Sequence, residues 1–478
     1  MLYKKIDQKL INFFLLFLIY IFTYYSLTFI QYSLLLFIVA ILFSFFSFII
    51  LRDLLSKNQI SLTNILFSVF YIVGFVLSFS NINLNQSDYV GVGWNKIGDF
   101  KFTNINIFFM LFLSNIFLFA SYLGITTGKK LTYFFGELRI SKKYLNKLNF
   151  NIIVVFFTFI TILLIFFMDN LGIGKHGLKD EVDLFGPLNG LLRYLKGSIF
   201  FATCFFLYDI MRLNSKSISN YVKLYFLIYF IIFFLVNSLI GLSRSGIIFW
   251  TLPLLLPYFI NLRVRYFILH VIIFFFIIII FMKVTTEYRS IFDENLEMQS
   301  KLDYFEKYKN LISLISFTVI DIKNFFNFLI IRIEGIKEIM LVFQSNSSKE
   351  DFLTYYFSVY DKLDYFSNKI WAFQLNDTHA WGRTLGIFGM SYLTKSAIVL
   401  FFISFISFMI LKLFEEYFLS KKYYSLSIYI TITLFVIIWN NQTFEDFSRR
   451  ILIMLLLIFV IKIINILIYD QKKIIISK

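Results

Sequence analysis

Apolar runs long enough to cross a lipid bilayer as helices recur from one end of this chain to the other, and they constrain its fold more than any motif does. A helix rises about 1.5 Å per residue, so about 20 apolar residues match a hydrocarbon core roughly 30 Å thick. The sequence predicts about twelve such spans: Leu10–Ile30, Ser33–Leu51, Ile60–Ser80, Ile105–Gly124, Phe150–Met168, Gly197–Met211, Tyr221–Leu242, Gly246–Leu262, Tyr266–Met282, Ser396–Phe414, Tyr424–Trp439 and Ile451–Ile468. The expected fold is therefore all-α, a polytopic integral membrane protein with a single membrane domain over 1–478. Composition agrees: hydrophobic residues make up 59%, charged residues only 15%, and mean hydropathy is +0.78, far from a soluble domain. The first run is too long for a signal peptide and has no small-residue cleavage site, so it is expected to stay as a span.

The net charge of +16 raises nucleic acid as a partner, and the distribution of the basic residues answers it. Segments that alternate to one side carry about 22 Lys and Arg: Lys4, Lys5 and Lys9; Arg52 and Lys57; a cluster from Lys129 to Lys147; Arg212, Lys216 and Lys223; Arg263 and Arg265; Lys412, Lys421 and Lys422; Lys472, Lys473 and Lys478. The short loops on the other side carry about nine. That is a positive-inside bias. It predicts both termini in the cytoplasm, with membrane lipids rather than nucleic acid as the surface that the cations meet. The single Cys204 falls in an apolar span, so no disulfide braces the outer loops.

One connection is unlike the others. About 110 residues, Thr285 to Lys395, separate the ninth and tenth spans, and the charge bias puts this large loop, expected to be helical, outside the cytoplasm. Within it, Leu311–Ile331 is long enough to span, but Asp321 and Lys323 near its middle would each cost about 2.5–3.5 kcal/mol at the bilayer centre. An interfacial or re-entrant helix is the expectation. A true span there would invert everything downstream.

Four outward-facing places carry polar residues beyond what a plain loop needs. In Gly241-Leu242-Ser243-Arg244-Ser245-Gly246, a tight turn holds Arg244 at the membrane boundary between Ser243 and Ser245. A guanidinium there suits a diphosphate, which it binds bidentately, with hydroxyls and a helix N-terminus adding donors; the plainer alternative is an arginine snorkelling to headgroups. Arg289, in Thr286-Glu287-Tyr288-Arg289, emerges at the same depth, where Tyr-Arg is also an ordinary interfacial pair. Late in the large loop, Asp377, His379, Trp381 and Arg383 fall within seven residues. They suit a general base (His379), its orienter (Asp377), a sugar-stacking face (Trp381) and a phosphate or sugar ligand (Arg383), although ordinary loops contain such groups too. Asp169 to Lys196 is the fourth place, with Arg193 at its membrane edge and an otherwise solvated face. No Walker loop, HExxH, CxxC pair or EF-hand loop is present, so neither ATP hydrolysis nor a bound metal has support, and no cofactor is expected.

With these residues in view, the chain resembles the bacterial O-antigen or oligosaccharide repeat-unit polymerases of the Wzy type. The resembling residues are Gly241-Leu-Ser-Arg-Ser-Gly-Ile-Ile opening a span, the basic turn Arg263-Val-Arg265, an Ile/Phe-rich span and Arg289 beyond it, a block of about 50 residues. Trp381-Gly382-Arg383-Thr384-Leu385 is similar to a segment before a late span in some members. The resemblance implies a metal-independent membrane glycosyltransferase of the bacterial cytoplasmic (inner) membrane with its active site on the extracytoplasmic face. Its substrates would be undecaprenyl-diphosphate-linked oligosaccharides, joined into a surface polysaccharide such as O-antigen or capsule. A chain-length regulator and a flippase are the implied partners. Arg244 and Arg289, helped by Arg193 and Arg383, would neutralise the leaving diphosphate. An O-antigen ligase or other lipid-linked glycosyltransferase, and a lipid-linked oligosaccharide flippase, are the alternatives.

Overall fold

In a computed structural model, residues 33–56, 61–77, 104–135, 144–170, 199–241, 394–440 and 444–470 are described, with Pro253 and Ile387 as single positions. They are helical apart from short turns and one two-residue strand pair. The elements are α1 (Leu34–Ser56), α2 (Leu62–Tyr71, continuing as a π-helical turn Ile72–Leu77), α3 (Asn104–Phe135), β1 (Tyr144–Leu145), α4 (Lys147–Asn170), α5 (Phe200–Leu213), α6 (Asn220–Gly241), α7 (Ala397–Ser420), α8 (Tyr424–Asn440), α9 (Phe444–Ile468) and β2 (Tyr469–Asp470). Among the described residues, five helices are long and apolar enough to cross a membrane, at Leu34–Leu55, Asn104–Thr132, Lys147–Leu164, Ala397–Ser420 and Arg450–Ile468. Shorter apolar helices occur at Leu62–Val76 and Tyr424–Trp439.

Large apolar side chains point outward along these helices: Leu42 and Phe45 on α1, Phe156 and Phe159 on α4, Leu452 and Phe459 on α9 are all exposed. Faces of that kind are stable against lipid tails and aggregate in water. Several hydroxyl groups inside the helices are satisfied by the preceding turn. Ser114 donates to the Leu111 carbonyl, Thr158 to that of Val155 and Thr203 to that of Ile199, which removes the cost of a bare hydroxyl in hydrocarbon.

Each of the apolar runs predicted over these residues coincides with a helix, while the first, eighth and ninth lie outside the described residues, as does Leu311–Ile331. The differences lie at helix ends. Arg52, counted among the cations between spans, is in the last part of α1 with Asp53, which accepts from the Tyr122 hydroxyl at 2.5 Å. Helix α3 runs on past Gly124 to Phe135, and α7 past Phe414 to Ser420; Lys412, counted among the loop cations although the span Ser396–Phe414 contains it, is inside α7. Polar residues near these ends find partners within the protein, Asp53 and Glu415 on neighbouring helices and Thr126, Thr132 and Lys412 within their own, and so need not end the helix to reach water.

The chain divides into two compact units, the first comprising 1–136, 323–417 and 431–450 and the second 137–322, 418–430 and 451–478. In the first, the aromatic core joins α2, α3, α7 and α8. Phe67 meets Phe408 edge-on with centroids 4.9 Å apart, Phe70 meets Phe435 at 4.9 Å, and Trp439 lies 5.7 Å from Phe117. A polar knot pins α1 to α3 inside this apolar setting, with Ser47 donating to Asn115 at 2.9 Å while Asn115 donates to the Leu111 carbonyl. Helices α3 and α7 touch through their backbones. A Cβ on Gly124 would fall 2.3 Å from the Phe405 carbonyl oxygen, and one on Gly128 2.5 Å from that of Met409. Gly124 and Gly128 form a Gly-x-x-x-Gly face, which allows helix approach closer than any larger side chain permits.

In the second unit, Phe201 packs on Phe233 at 4.7 Å and Phe205 on Tyr429 at 5.0 Å, while Thr158 and Tyr225 share a hydrogen bond of 2.8 Å between α4 and α6. The start of α4 is tied to the end of α9. Strands β1 and β2 pair antiparallel (Tyr144 opposite Asp470), the Asn146 N–H donates to the Ile468 carbonyl at 2.8 Å, and the Asn149 amide donates to that of Leu467 at 2.8 Å.

The glycine contact yields a direct prediction. Gly124→Ala adds one carbon where the Phe405 carbonyl stands, so α3 and α7 must separate; overpacking of this type costs about 1–3 kcal/mol. A lowered unfolding temperature of the detergent-solubilised protein is the expected result, and an unchanged one would show that the close approach is not used.

Candidate functional site

The residues singled out from the sequence (Arg193, Ser243, Arg244, Ser245, Arg289, Asp377, His379, Trp381 and Arg383) all lie outside the described residues, as does most of the stretch from Thr285 to Lys395. What the described residues do contain is two buried ionic clusters, one in each unit, which sequence reasoning overlooked. Both have the same logic. A helix start leaves N–H groups without intrahelical partners, and in an apolar medium those donors need an acceptor from the protein.

In the first unit the start of α2 is met by α7. Ser61 caps the helix, its hydroxyl oxygen accepting from the Asn64 N–H at 3.2 Å, and the Asn64 side chain donates to the Leu54 carbonyl of α1 at 2.8 Å. Glu415 reaches the same turn from α7, its Oε1 accepting from the Leu62 N–H at 2.8 Å and from that of Thr63 at 3.4 Å. Its other oxygen, Oε2, accepts from Lys412 Nζ at 2.8 Å, and Lys412 reaches Glu416 Oε1 at 2.6 Å. Lys412 and Glu415 are buried while Glu416 keeps partial access to solvent. One lysine thus holds two carboxylates, one of which also carries the positive end of a helix dipole.

In the second unit the start of α8 is met by α5. Asp209, fully buried, accepts from the Ser425 N–H at 3.2 Å and from the Leu426 N–H at 3.0 Å. Arg212, one turn along α5, approaches Asp209 at 3.3 Å, lies 4.6 Å over the Tyr424 ring and donates to the Lys422 carbonyl at 3.4 Å. Lys422 sits at φ 63°, a left-handed conformation that bends the chain between α7 and α8.

Chemically these are clamps. Every carboxylate is already engaged by backbone donors, a cation or both, which leaves none poised as a general base. The signal that could have revealed them is short: Lys412 with Glu415 and Glu416, and Asp209 with Arg212, stand three or four residues apart in otherwise apolar runs, the spacing at which helical side chains meet. Counting Lys412 as a loop cation obscured the first.

Comparison with protein-family models, with curated proteins and with solved structures gave no match to this chain.

Removing one partner of a buried ion pair costs about 3–5 kcal/mol, because the other charge is stranded in a poor solvent. Lys412→Met is therefore expected to destabilise the protein strongly, and adding Glu415→Gln should recover much of the loss, since glutamine still offers Oε1 to the start of α2. Unfolding in detergent by heat or denaturant measures both; additive losses would refute the coupling.

Proposed function

We propose that this chain is a metal-independent glycosyltransferase of the bacterial cytoplasmic membrane that joins undecaprenyl-diphosphate-linked oligosaccharide repeat units into a surface polysaccharide. The observation that carries the reading is the polar stretch Thr285–Lys395 set beside arginine-bearing span ends, Arg244 in Gly241–Gly246 and Arg289. About twelve spans, cytoplasmic termini and an outward-facing cap over the membrane complete the proposed arrangement.

Helix directions support this sidedness. In the second unit the end of α5, the start of α6 and the start of α8 are linked through Asp209, Arg212 and the short turn 214–219. At this end stand Arg212, Lys216, Lys223, Lys421 and Lys422, matching a cytoplasmic face. In the proposed arrangement α6 leaves that face and α7 returns to it, with spans at Gly246–Leu262 and Tyr266–Met282 and an interfacial or re-entrant Leu311–Ile331 between them. The ionic clusters also bear on the carrier alternative. Among the described residues the buried charges of both clusters clamp helix starts, whereas a carrier would use such charges around a central cavity.

In the proposed reaction a sugar hydroxyl of one repeat unit attacks the anomeric carbon of the other chain. The bond from that carbon to the diphosphate oxygen breaks, and His379, oriented by Asp377, takes the hydroxyl proton. Arg244 and Arg289 neutralise the departing undecaprenyl diphosphate, with Arg193, Arg383, Ser243 and Ser245 adding donors and Trp381 stacking on a sugar.

Arg244→Ala, made at normal protein level, is expected to remove the long ladder of surface glycan while single repeat units still reach the surface acceptor. An intact ladder would refute the assignment of Arg244. In a strain lacking the protein, polymer retained on the lipid carrier would indicate a ligase instead, and single units trapped at the cytoplasmic leaflet a flippase.

A further inference from the structure

Within the second unit the buried cluster draws together two basic turns that are about 200 residues apart in sequence. The Asp209 carboxylate on the first turn of α8 and the Arg212 guanidinium on the Lys422 carbonyl fix the turn 214–219 beside the turn 420–423. The two turns together display Lys216 and Lys422, both exposed, and Lys421, half-buried. Lys223, nearby, is occupied, with Nζ donating to the Ser215 carbonyl at 2.6 Å and to Asn220 at 3.2 Å. Among the described side chains of this unit the one carboxylate is Asp209, and it is already shared between two backbone donors and Arg212. Among the described side chains of this unit, like charges have thus been gathered on a rigid frame with no further acid to balance them, which favours an external anion.

The surroundings specify which anion. Flanking the turn 214–219, Leu213 (44% exposed) at the end of α5 and Tyr221 (87%) and Leu224 (56%) in the first turns of α6 are exposed. A soluble phosphate has no use for that apolar rim. A phospholipid does, with its headgroup on the lysines and its acyl chains along leucine, and an exposed tyrosine at this level is the usual membrane-interface anchor.

We infer that the paired turns 214–219 and 420–423 form a binding site for the headgroup of an anionic phospholipid, made by Lys216, Lys421 and Lys422. The site is independent of the catalytic reading above and lies at the membrane face opposite the proposed reaction. The Asp209–Arg212 cluster acts as its frame, and occupancy stabilises the α5–α6 and α7–α8 junctions together.

The test uses the full-length protein in detergent, titrated with short-chain phosphatidylglycerol, with phosphatidylcholine of equal chain length, or with inorganic phosphate, and read by thermal unfolding. The variant carries Lys216→Gln, Lys421→Gln and Lys422→Asn, asparagine being chosen because it tolerates the left-handed conformation at 422. Stabilisation of the wild type by phosphatidylglycerol alone, with an apparent affinity about tenfold or more weaker in the variant, is the expected result. Should the variant fail to fold, the three lysines replaced by arginine in the same protein must keep the phosphatidylglycerol response. Equal responses of wild type and neutral variant, loss of response in the arginine variant, or a response to inorganic phosphate that matches the lipid would each overturn the inference.

Discussion

A helix that begins at the edge of a bilayer has a problem that a helix in water does not. Its first N–H groups lack intrahelical partners, and the medium offers none. Two junctions in this protein solve it the same way, by sending a carboxylate from a distant helix onto the open turn. Glu415 of α7 closes the start of α2 and Asp209 of α5 closes the start of α8. Helix ends that would otherwise need water are thereby joined to other helices, and the packing of the aromatic cores proceeds from junctions that are already fixed.

A buried carboxylate is itself expensive, which is why neither stands alone. Lys412 lies one turn before Glu415, and Arg212 one turn after Asp209. The two solutions differ in solvent access. Lys412 is as buried as its Glu415 partner, so that pair is held away from water, whereas the Arg212 side chain keeps 28% of its surface and spreads its donors over a carboxylate, a carbonyl and a tyrosine ring. Arginine suits the second position because its weakly hydrated, planar head satisfies several partners at once. Lysine suits the first because a point charge between two carboxylates needs no fixed plane.

The helices were legible because hydrophobic length is a one-dimensional signal, and every apolar run that falls on described residues is a helix. Helix ends were less so. The predicted span stopped at Gly124, although Gly124 and Gly128 carry a Gly-x-x-x-Gly spacing that marks a close contact. The second predicted span stopped at Leu51, before Arg52 and Asp53, because charge was equated with water, yet Asp53 is held by Tyr122 on a neighbouring helix. The acceptors at the helix starts were invisible for a different reason, since a hydrogen bond between residues 62 and 415 leaves no local trace. Of the candidate site, the arginine-bearing turns and the His379 cluster were read from residue type and position, and all of these residues lie outside the described ones.

Helical spacing sorts the cations of this chain into two kinds. Lys412 has Glu415 and Glu416 at three and four residues, and Arg212 has Asp209 at three. Lys130, Lys216, Lys421 and Lys422 have no acidic residue at either spacing in either direction. Cations of the first kind are neutralised within the protein and carry little information about which side of the membrane they face. Cations of the second kind keep their field, and an anionic leaflet acts on that field, at about 1 kcal/mol for each residue near the surface. A charge count that separates the two kinds therefore reads orientation from fewer residues, each of which the membrane still feels. The same separation explains how one end of a helical unit can be tied by buried ion pairs and still present an unbalanced positive surface.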